Sequence, residues 1–342
     1  MKVLPVVAML LALVLTPLVL RGFNEAMDAT GSNHSYLPSY ESRRARKGFR
    51  TKPVELLAHR PPEWVFIGDS MLGTRIDPTL LSELSGTPDR DVALLVQAAS
   101  GPAYWYLSFK NVLVASGVRP RMTFFFFRDT NMTDTLFRLQ STLGDALDDV
   151  AHEREPELDA MVAARQRGAW SQVDALLNRV YQVDTASSWM QPTVRRWYAF
   201  WRYPDPDARL KFENVIEEDF NENFRRDLAA DLGTVGDDAD FAHDVGTSVL
   251  PQIAALSQKH GLPVCFVRVQ RRPEGGQPPT QSRALIKYIA DFRAWAETHG
   301  ACFHDETGDR ELTLDLYEDG DHVADRLAYT RIFRRRLDSH FR

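Results

Sequence analysis

The stretch Trp64-Val65-Phe66-Ile67-Gly68-Asp69-Ser70 decides how this chain is read. An uninterrupted apolar run stops abruptly at Gly-Asp-Ser. A short apolar run closed by turn formers is the pattern of a strand buried on both faces, and here a serine stands just beyond its end. Near the other terminus lies Asp319-Gly320-Asp321-His322, with an Asp and a His three positions apart ahead of a helical pattern. These pieces supply a hydroxyl, an imidazole able to take its proton, and a carboxylate to fix the imidazole tautomer.

Strand and helix patterns alternate outward from the first strand. Asp91–Val96 predicts a second strand, followed by the loop Ala98-Ala99-Ser100-Gly101 and a helix from Pro102 to about Ala115, proline suiting a first helical position. Met122–Phe127, with four consecutive Phe, predicts a central strand covered on both faces. Residues 132 to about 240 carry no strand pattern, although Asp145–Arg165 and Trp170–Val183 have helical spacing. Alternation then resumes. A helix at Gly246–His260 shares Val249, Ile253 and Leu256 on one face, and a strand follows at Val264–Val269. A helix at Gln281–His299, a strand at Ala301–His304 and a last helix at Ala324–Phe341 complete the order, the last with Leu327, Thr330, Phe333, Leu337 and Phe341 on one stripe. Such alternation predicts an α/β fold, a parallel sheet with helices on both faces, with a large helical insertion at about 132–243. Sites in open sheets of this kind form beyond the carboxyl ends of the strands. Ser70, Gly101 and Asn131 fall just past the first three.

At 342 residues the chain makes one large domain or two ordinary ones, and 44% hydrophobic residues suffice for a core. A net charge of −6 gives no reason to expect a general nucleic-acid surface. The basic runs at residues 43–47 and 334–336 read as solvated faces. The nine His are scattered, no short-spaced Cys or His pair occurs, and no glycine-rich phosphate loop is present, so neither a metal nor a cofactor is expected. Residues 3–20 are uncharged and apolar, spanning about 27 Å as a helix, with no small-x-small site directly after them. This reads as an uncleaved membrane anchor over 1–21, with a signal segment as the other option, and a polar tether over 22–61, carrying a domain at 62–342 outside the cytoplasm. Cys265 and Cys302, each in a predicted strand, read as buried free thiols, since neighbouring parallel strands rarely offer bridging geometry.

On these blocks the chain resembles the SGNH, or GDSL-like, hydrolases and acyltransferases. Gly68-Asp69-Ser70 is similar to the first block, which implies that Ser70 is the nucleophile. The loop ending in Gly101 resembles the second, and Asp129-Thr130-Asn131-Met132 resembles the third, usually Gly-x-Asn-Asp. Asp319-Gly320-Asp321-His322 matches the last. The resemblance covers about residues 62–131 and 244–342. It implies a flavodoxin-like three-layer α/β/α sandwich. It further implies His322 as general base, Asp319 as its orienter, and an oxyanion hole from the Ser70 and Gly101 N–H groups and the Asn131 amide. Asp321 reads as a solvent-facing understudy to Asp319. The chain departs from the pattern where Asp129 replaces Gly, Met132 replaces Asp, and Arg128 adds a charge.

Each piece has a plainer role available. Asp69-Ser70 can simply cap a helix, Gly101 can serve a turn, and Asn131 can close its loop. Arg75 is a candidate to approach an anionic substrate group or to form a surface salt bridge, with Arg128 and Asp129 as further candidates for substrate contact. The aromatic run Trp197–Tyr203 reads as packing of the insertion, with sugar stacking as the other option. The expected function is an extracytoplasmic serine enzyme that hydrolyses or transfers an acyl ester, notably acetyl, on an envelope glycan or lipid. Members resembling it work beside a multi-spanning membrane acyltransferase, which is the partner the resemblance implies. The alternative is a membrane-tethered binding or assembly module that keeps the fold without catalysis.

Overall fold

The computed structural model describes residues 11, 15–22, 50–85, 92–98, 100–137, 139, 147, 149–152, 155–165, 238–273, 277, 280–319 and 321–340. Helix α1 (Lys52–His59), within the stretch expected as a tether over 22–61, buries Leu57 in the core. β1 (Trp64–Gly68) is buried at every residue. Then come α2 (Ser70–Arg75), α3 (Pro78–Leu84) and β2 (Val92–Val96). α4 (Pro102–Leu107) runs on as a π-helical stretch, Ser108–Val114. β3 (Met122–Phe127), a 3-10 turn at Asn131–Thr133 and α5 (Pro156–Arg165) follow. The second half brings α6 (Leu250–His260), β4 (Val264–Arg268), α7 (Arg283–Thr298) and β5 (Cys302–Asp305). A small antiparallel ribbon, β6 (Tyr317–Asp319) and β7 (His322–Val323), precedes α8 (Arg326–His340).

β1 to β5 form one five-stranded parallel sheet in the order β2-β1-β3-β4-β5. This is the flavodoxin-like doubly wound order, in which the strand sequence reverses between β1 and β3. The switch point therefore lies between the exits that carry Ser70 and Asn131.

The period-two geometry of a strand explains the four Phe of β3. Phe125 and Phe127 point to one face with Val65 and Ile67, under Phe109, Ile253 and Phe292 of the α4, α6 and α7 layer. Phe124 and Phe126 point to the other with Phe66, under Leu72, Leu81 and Phe333 of α2, α3 and α8. Phe66 stacks on Phe124 at 4.8 Å between ring centres, and Phe333 meets Phe66, Phe124 and Phe126 at 5.8, 5.7 and 5.5 Å. Full burial of one such ring stabilises by about 1.5–3 kcal/mol, so Phe333 alone ties α8 firmly to the sheet.

Three expectations change. Cys265 and Cys302 are in-register partners on adjacent strands β4 and β5, with Cα atoms 4.4 Å apart, and they form a disulfide rather than free thiols. That separation sits at the short end of the bridging range, which the close pairing of parallel strands reaches here. On α8, Leu327 is 47% exposed and the buried face is instead Tyr329, Thr330, Phe333, Arg336 and Leu337. Arg336 is no solvated residue: it pairs with the fully buried Glu306 at 3.1 Å and also with Asp309. No helix among the described residues is long and apolar enough to cross a membrane. The anchor expected over 1–21 falls largely outside the described residues, as do most of the insertion and the aromatic run Trp197–Tyr203.

Candidate active site

Gly68 closes β1 because nothing larger fits: a Cβ there would lie 2.9 Å from the Leu72 Cβ, where α2 folds back on the strand. Asp69 is extended (φ −102°, ψ −155°) and its carboxylate accepts a hydrogen bond from the Met71 N–H at 2.9 Å. Asp69 is thus the N-cap, as the plainer reading of this tripeptide holds, and the cap fixes Ser70 as the first residue of α2. The Ser70 side chain is left for another partner. Its Oγ lies 3.0 Å from the His322 Nε2, across 252 positions of sequence. Both residues are half-buried. A hydroxyl within hydrogen-bond reach of an imidazole nitrogen is the geometry that lets the ring take its proton. α2 has only six residues, so the helix-end field on Ser70 is minor beside this bond.

His322 stands on the ribbon, a feature the sequence pattern did not show. The register places the Cα of Asp319 opposite that of His322; the side chain of Asp319 lies outside the described residues. Asp321 does not face solvent as expected. It is 8% exposed and its carboxylate pairs with Arg128. Burial opposes the charge on Arg128, but Asp321, Asp129 and Asp69 outweigh it and hold its pKa above the usual value.

Gly101 follows β2 as the N-cap of α4, with ordinary extended backbone (φ −135°, ψ −175°). What excludes a side chain is proximity: a Cβ would meet the Phe137 carbonyl oxygen at 2.3 Å. Glycine here therefore seats the segment after β3 onto the loop after β2. No hydrogen bond joins the Ser70 or Gly101 N–H to another described residue. Asn131 is half-buried, and among the described residues its side-chain amide has no hydrogen-bond partner. The turn that carries it is closed by Asn131 N–H to the Arg128 carbonyl at 2.9 Å and by Thr133 N–H to the Thr130 carbonyl at 3.0 Å. From behind, Thr133 Oγ1 and the Tyr288 hydroxyl meet at 2.6 Å.

Asp129, the residue in place of the resembled glycine, has φ +47°, which no other described non-glycine residue shares in sign. The left-handed region admits Asp better than most residues, though not as freely as Gly. Two arginines hold it there. Arg268 Nη2 donates to Asp129 Oδ1 at 2.8 Å and Arg271 Nε to Oδ2 at 2.7 Å. Burial raises the carboxyl pKa, but Arg271 and Arg268 outweigh it and hold the group below the usual range. Each oxygen of the Asp129 carboxylate is thus tied to an arginine of the loop after β4 or of β4 itself.

Arg75, the other candidate for substrate contact, is completely buried and donates to backbone carbonyls. It lies behind the site rather than in it. Arg128 remains partly exposed, at 24% of its side chain, beside Asp321. A small cleft opens beyond β3, β4 and β5, lined by Asp129, Arg268, Gln270, Arg271, Gln281 and Thr307, with neither Ser70 nor His322 in its wall. Among the described residues no group of His, Cys, Asp and Glu is placed to hold a metal ion.

No family model matches the chain, and no curated protein matches it. Among solved structures it is similar to a protein from Bacteroides fragilis provisionally described as an acylhydrolase. The two share 9% identity over 90% of this chain and 97% of that one, with a TM-score of 0.37. A likeness at that level carries no inference about chemistry, which rests on the residues themselves.

Sequence reading missed the arginines that hold Asp129. Their signal is present in Arg268-Val269-Gln270-Arg271, basic residues at a strand exit where an apolar sheet edge offers them no reason to be.

Proposed function

We propose that this protein is a serine-dependent enzyme that cleaves or transfers an acyl ester, with Ser70 as nucleophile and His322 as general base. The observation that carries the reading is the 3.0 Å contact between Ser70 Oγ and His322 Nε2, made at the carboxyl edge of the sheet beside its switch point.

In the proposed reaction Ser70 Oγ attacks the ester carbonyl carbon while its proton passes to His322 Nε2. The carbonyl oxygen becomes an oxyanion received by the N–H groups of Ser70 and Gly101 and the Asn131 amide. Each such donor is worth on the order of 3 kcal/mol in the transition state. Collapse of the tetrahedral species breaks the bond to the alcohol, which leaves with the proton from His322, and the acyl group stays on Ser70. Water or an acceptor hydroxyl, deprotonated by His322, then takes the acyl group and restores Ser70. Asp319, across the ribbon from His322, is assigned to orient the imidazole.

An acylated envelope glycan or lipid is the proposed substrate, with the domain outside the cytoplasm and a multi-spanning acyltransferase as partner. The Cys265–Cys302 disulfide supports that compartment, since such bonds persist where the surroundings are oxidising. Incubating the purified protein with p-nitrophenyl acetate tests the reaction. Nitrophenol release with free acetate means hydrolysis, and acetylated glycan formed when a glycan is added means transfer. No release by a folded protein, or equal release by Ser70→Ala, contradicts the proposal.

A further inference from the structure

Arg75 is a fully buried cation that the chemistry above leaves without a task. Its Nη1 donates to the Asp321 carbonyl at 2.7 Å and to the Met71 carbonyl at 3.2 Å, and its Nη2 to the Gln270 carbonyl at 3.0 Å. The rings of Tyr317 and Tyr329 flank the guanidinium at 5.9 and 5.5 Å. Its neighbour Thr74 donates from Oγ1 to the Met71 carbonyl at 3.1 Å and accepts at the same oxygen from the Val323 N–H at 3.3 Å.

The residues on either side of His322 are therefore held separately. Asp321 is held through its carbonyl by Arg75, and Val323 through its N–H by Thr74. Both holders sit at the end of α2, the helix whose first residue is Ser70. The Ser70 and His322 side chains belong to segments far apart in sequence, yet these bonds tie side chains of α2 directly to the backbone on both sides of His322. A buried charge is a poor choice if only stability is wanted, because apolar residues of similar volume fill such a space equally well. What the guanidinium provides is a planar fork that reaches three carbonyls in fixed directions, which a lysine cannot reproduce.

We propose that Arg75, with Thr74, is a clamp that sets the reach between Ser70 Oγ and His322 Nε2. Arg75 is a positioning residue, touching neither the substrate nor the reacting atoms. The inference rests on the serine-enzyme reading. A misplacement of about 1 Å at reacting groups costs on the order of 100-fold in rate, so a loosened clamp is felt in the chemistry before it is felt in binding.

The test compares the full chain with Arg75→Lys, Arg75→Met and Thr74→Val in labelling by a fluorophosphonate probe. Second-order rates are measured from pH 5 to 9, and melting temperature and the fraction of labelled molecules are measured alongside. The clamp predicts that folded Arg75→Lys labels at least about tenfold more slowly at neutral pH, with a flattened pH dependence, because Ser70 then reacts with less help from the imidazole. Thr74→Val shifts rate and profile the same way by a smaller factor. A residue that only supports the fold lowers the melting temperature and leaves the rate and pH profile of folded molecules unchanged. That result in either Arg75 variant overturns the clamp; if both fail to fold, an unchanged profile in Thr74→Val overturns it. Wild type that is not labelled at Ser70 overturns the serine-enzyme reading itself, and the clamp with it.

Discussion

Replacing Asp129 separates two reasons for its presence, because asparagine keeps the residue's tolerance of φ +47° while removing its charge, and glycine removes both charge and strain. In either variant Arg268, 3% exposed at its side chain, and Arg271, 23% exposed, lose their shared carboxylate. Breaking a buried ion pair from one side costs about 3–5 kcal/mol. Arg268 still has Asp305 at 3.3 Å, and Arg271 reaches water, which lowers the expected loss to about 2–4 kcal/mol. For a domain of this size that is a fall of roughly 5–15 °C in melting temperature. Glycine recovers the left-handed penalty but gives back a similar amount in unfolded-chain entropy, so both variants should lie within about 1 kcal/mol of each other. Urea unfolding followed by tryptophan fluorescence reads both numbers. An Asp129→Gly protein as stable as wild type refutes the reasoning, since the backbone and not the charge then governs the loop.

Other outcomes follow from the same geometry. The Asp129 carboxyl is held below the usual range, so its contribution is complete above about pH 4 and is lost as pH falls through the depressed folded value. The stability gap between wild type and Asp129→Asn should therefore narrow below pH 4 in urea titrations, and a gap independent of pH contradicts this. Gly101→Ala puts a Cβ 2.3 Å from the Phe137 carbonyl oxygen and should cost about 1–3 kcal/mol as overpacking, while slowing probe labelling through displacement of the loop. Wild-type stability and labelling would show that the two loops do not meet as described. Mass spectrometry of unreduced peptides should find Cys265 joined to Cys302, and removing the bridge, which closes a separation of 37, should cost up to about 4 kcal/mol. Two free thiols contradict it.

The sheet was legible because its signals are local. An apolar run such as Trp64–Ile67, or four Phe in a row, can be satisfied only by burial on both faces, and Pro62, Pro120, Pro263 and Gly300 lie just ahead of β1, β3, β4 and β5. The positions of Ser70, Gly101 and Asn131 at strand exits followed from where such runs end. What stayed hidden depends on partners distant in sequence. Nothing near Arg75 announces that its guanidinium will be spent on the carbonyls of residues 270 and 321, and Arg336 looks like any basic helix residue until Glu306 is seen beneath it. The disulfide was misjudged for the same reason, because register between β4 and β5 is set by the whole sheet and not by the cysteines' neighbours. The ribbon bearing His322 is too short to carry a pattern at all.

The most direct measurement is covalent labelling of the intact protein with a fluorophosphonate, followed by peptide mapping, on wild type, Ser70→Ala and His322→Ala that all remain folded by circular dichroism. Label on Ser70 in wild type, none in Ser70→Ala, and labelling slowed about 100-fold or more in His322→Ala is the predicted result. Label elsewhere in the chain, or a His322→Ala protein that reacts as fast as wild type, contradicts the central claim that the hydroxyl and imidazole act together.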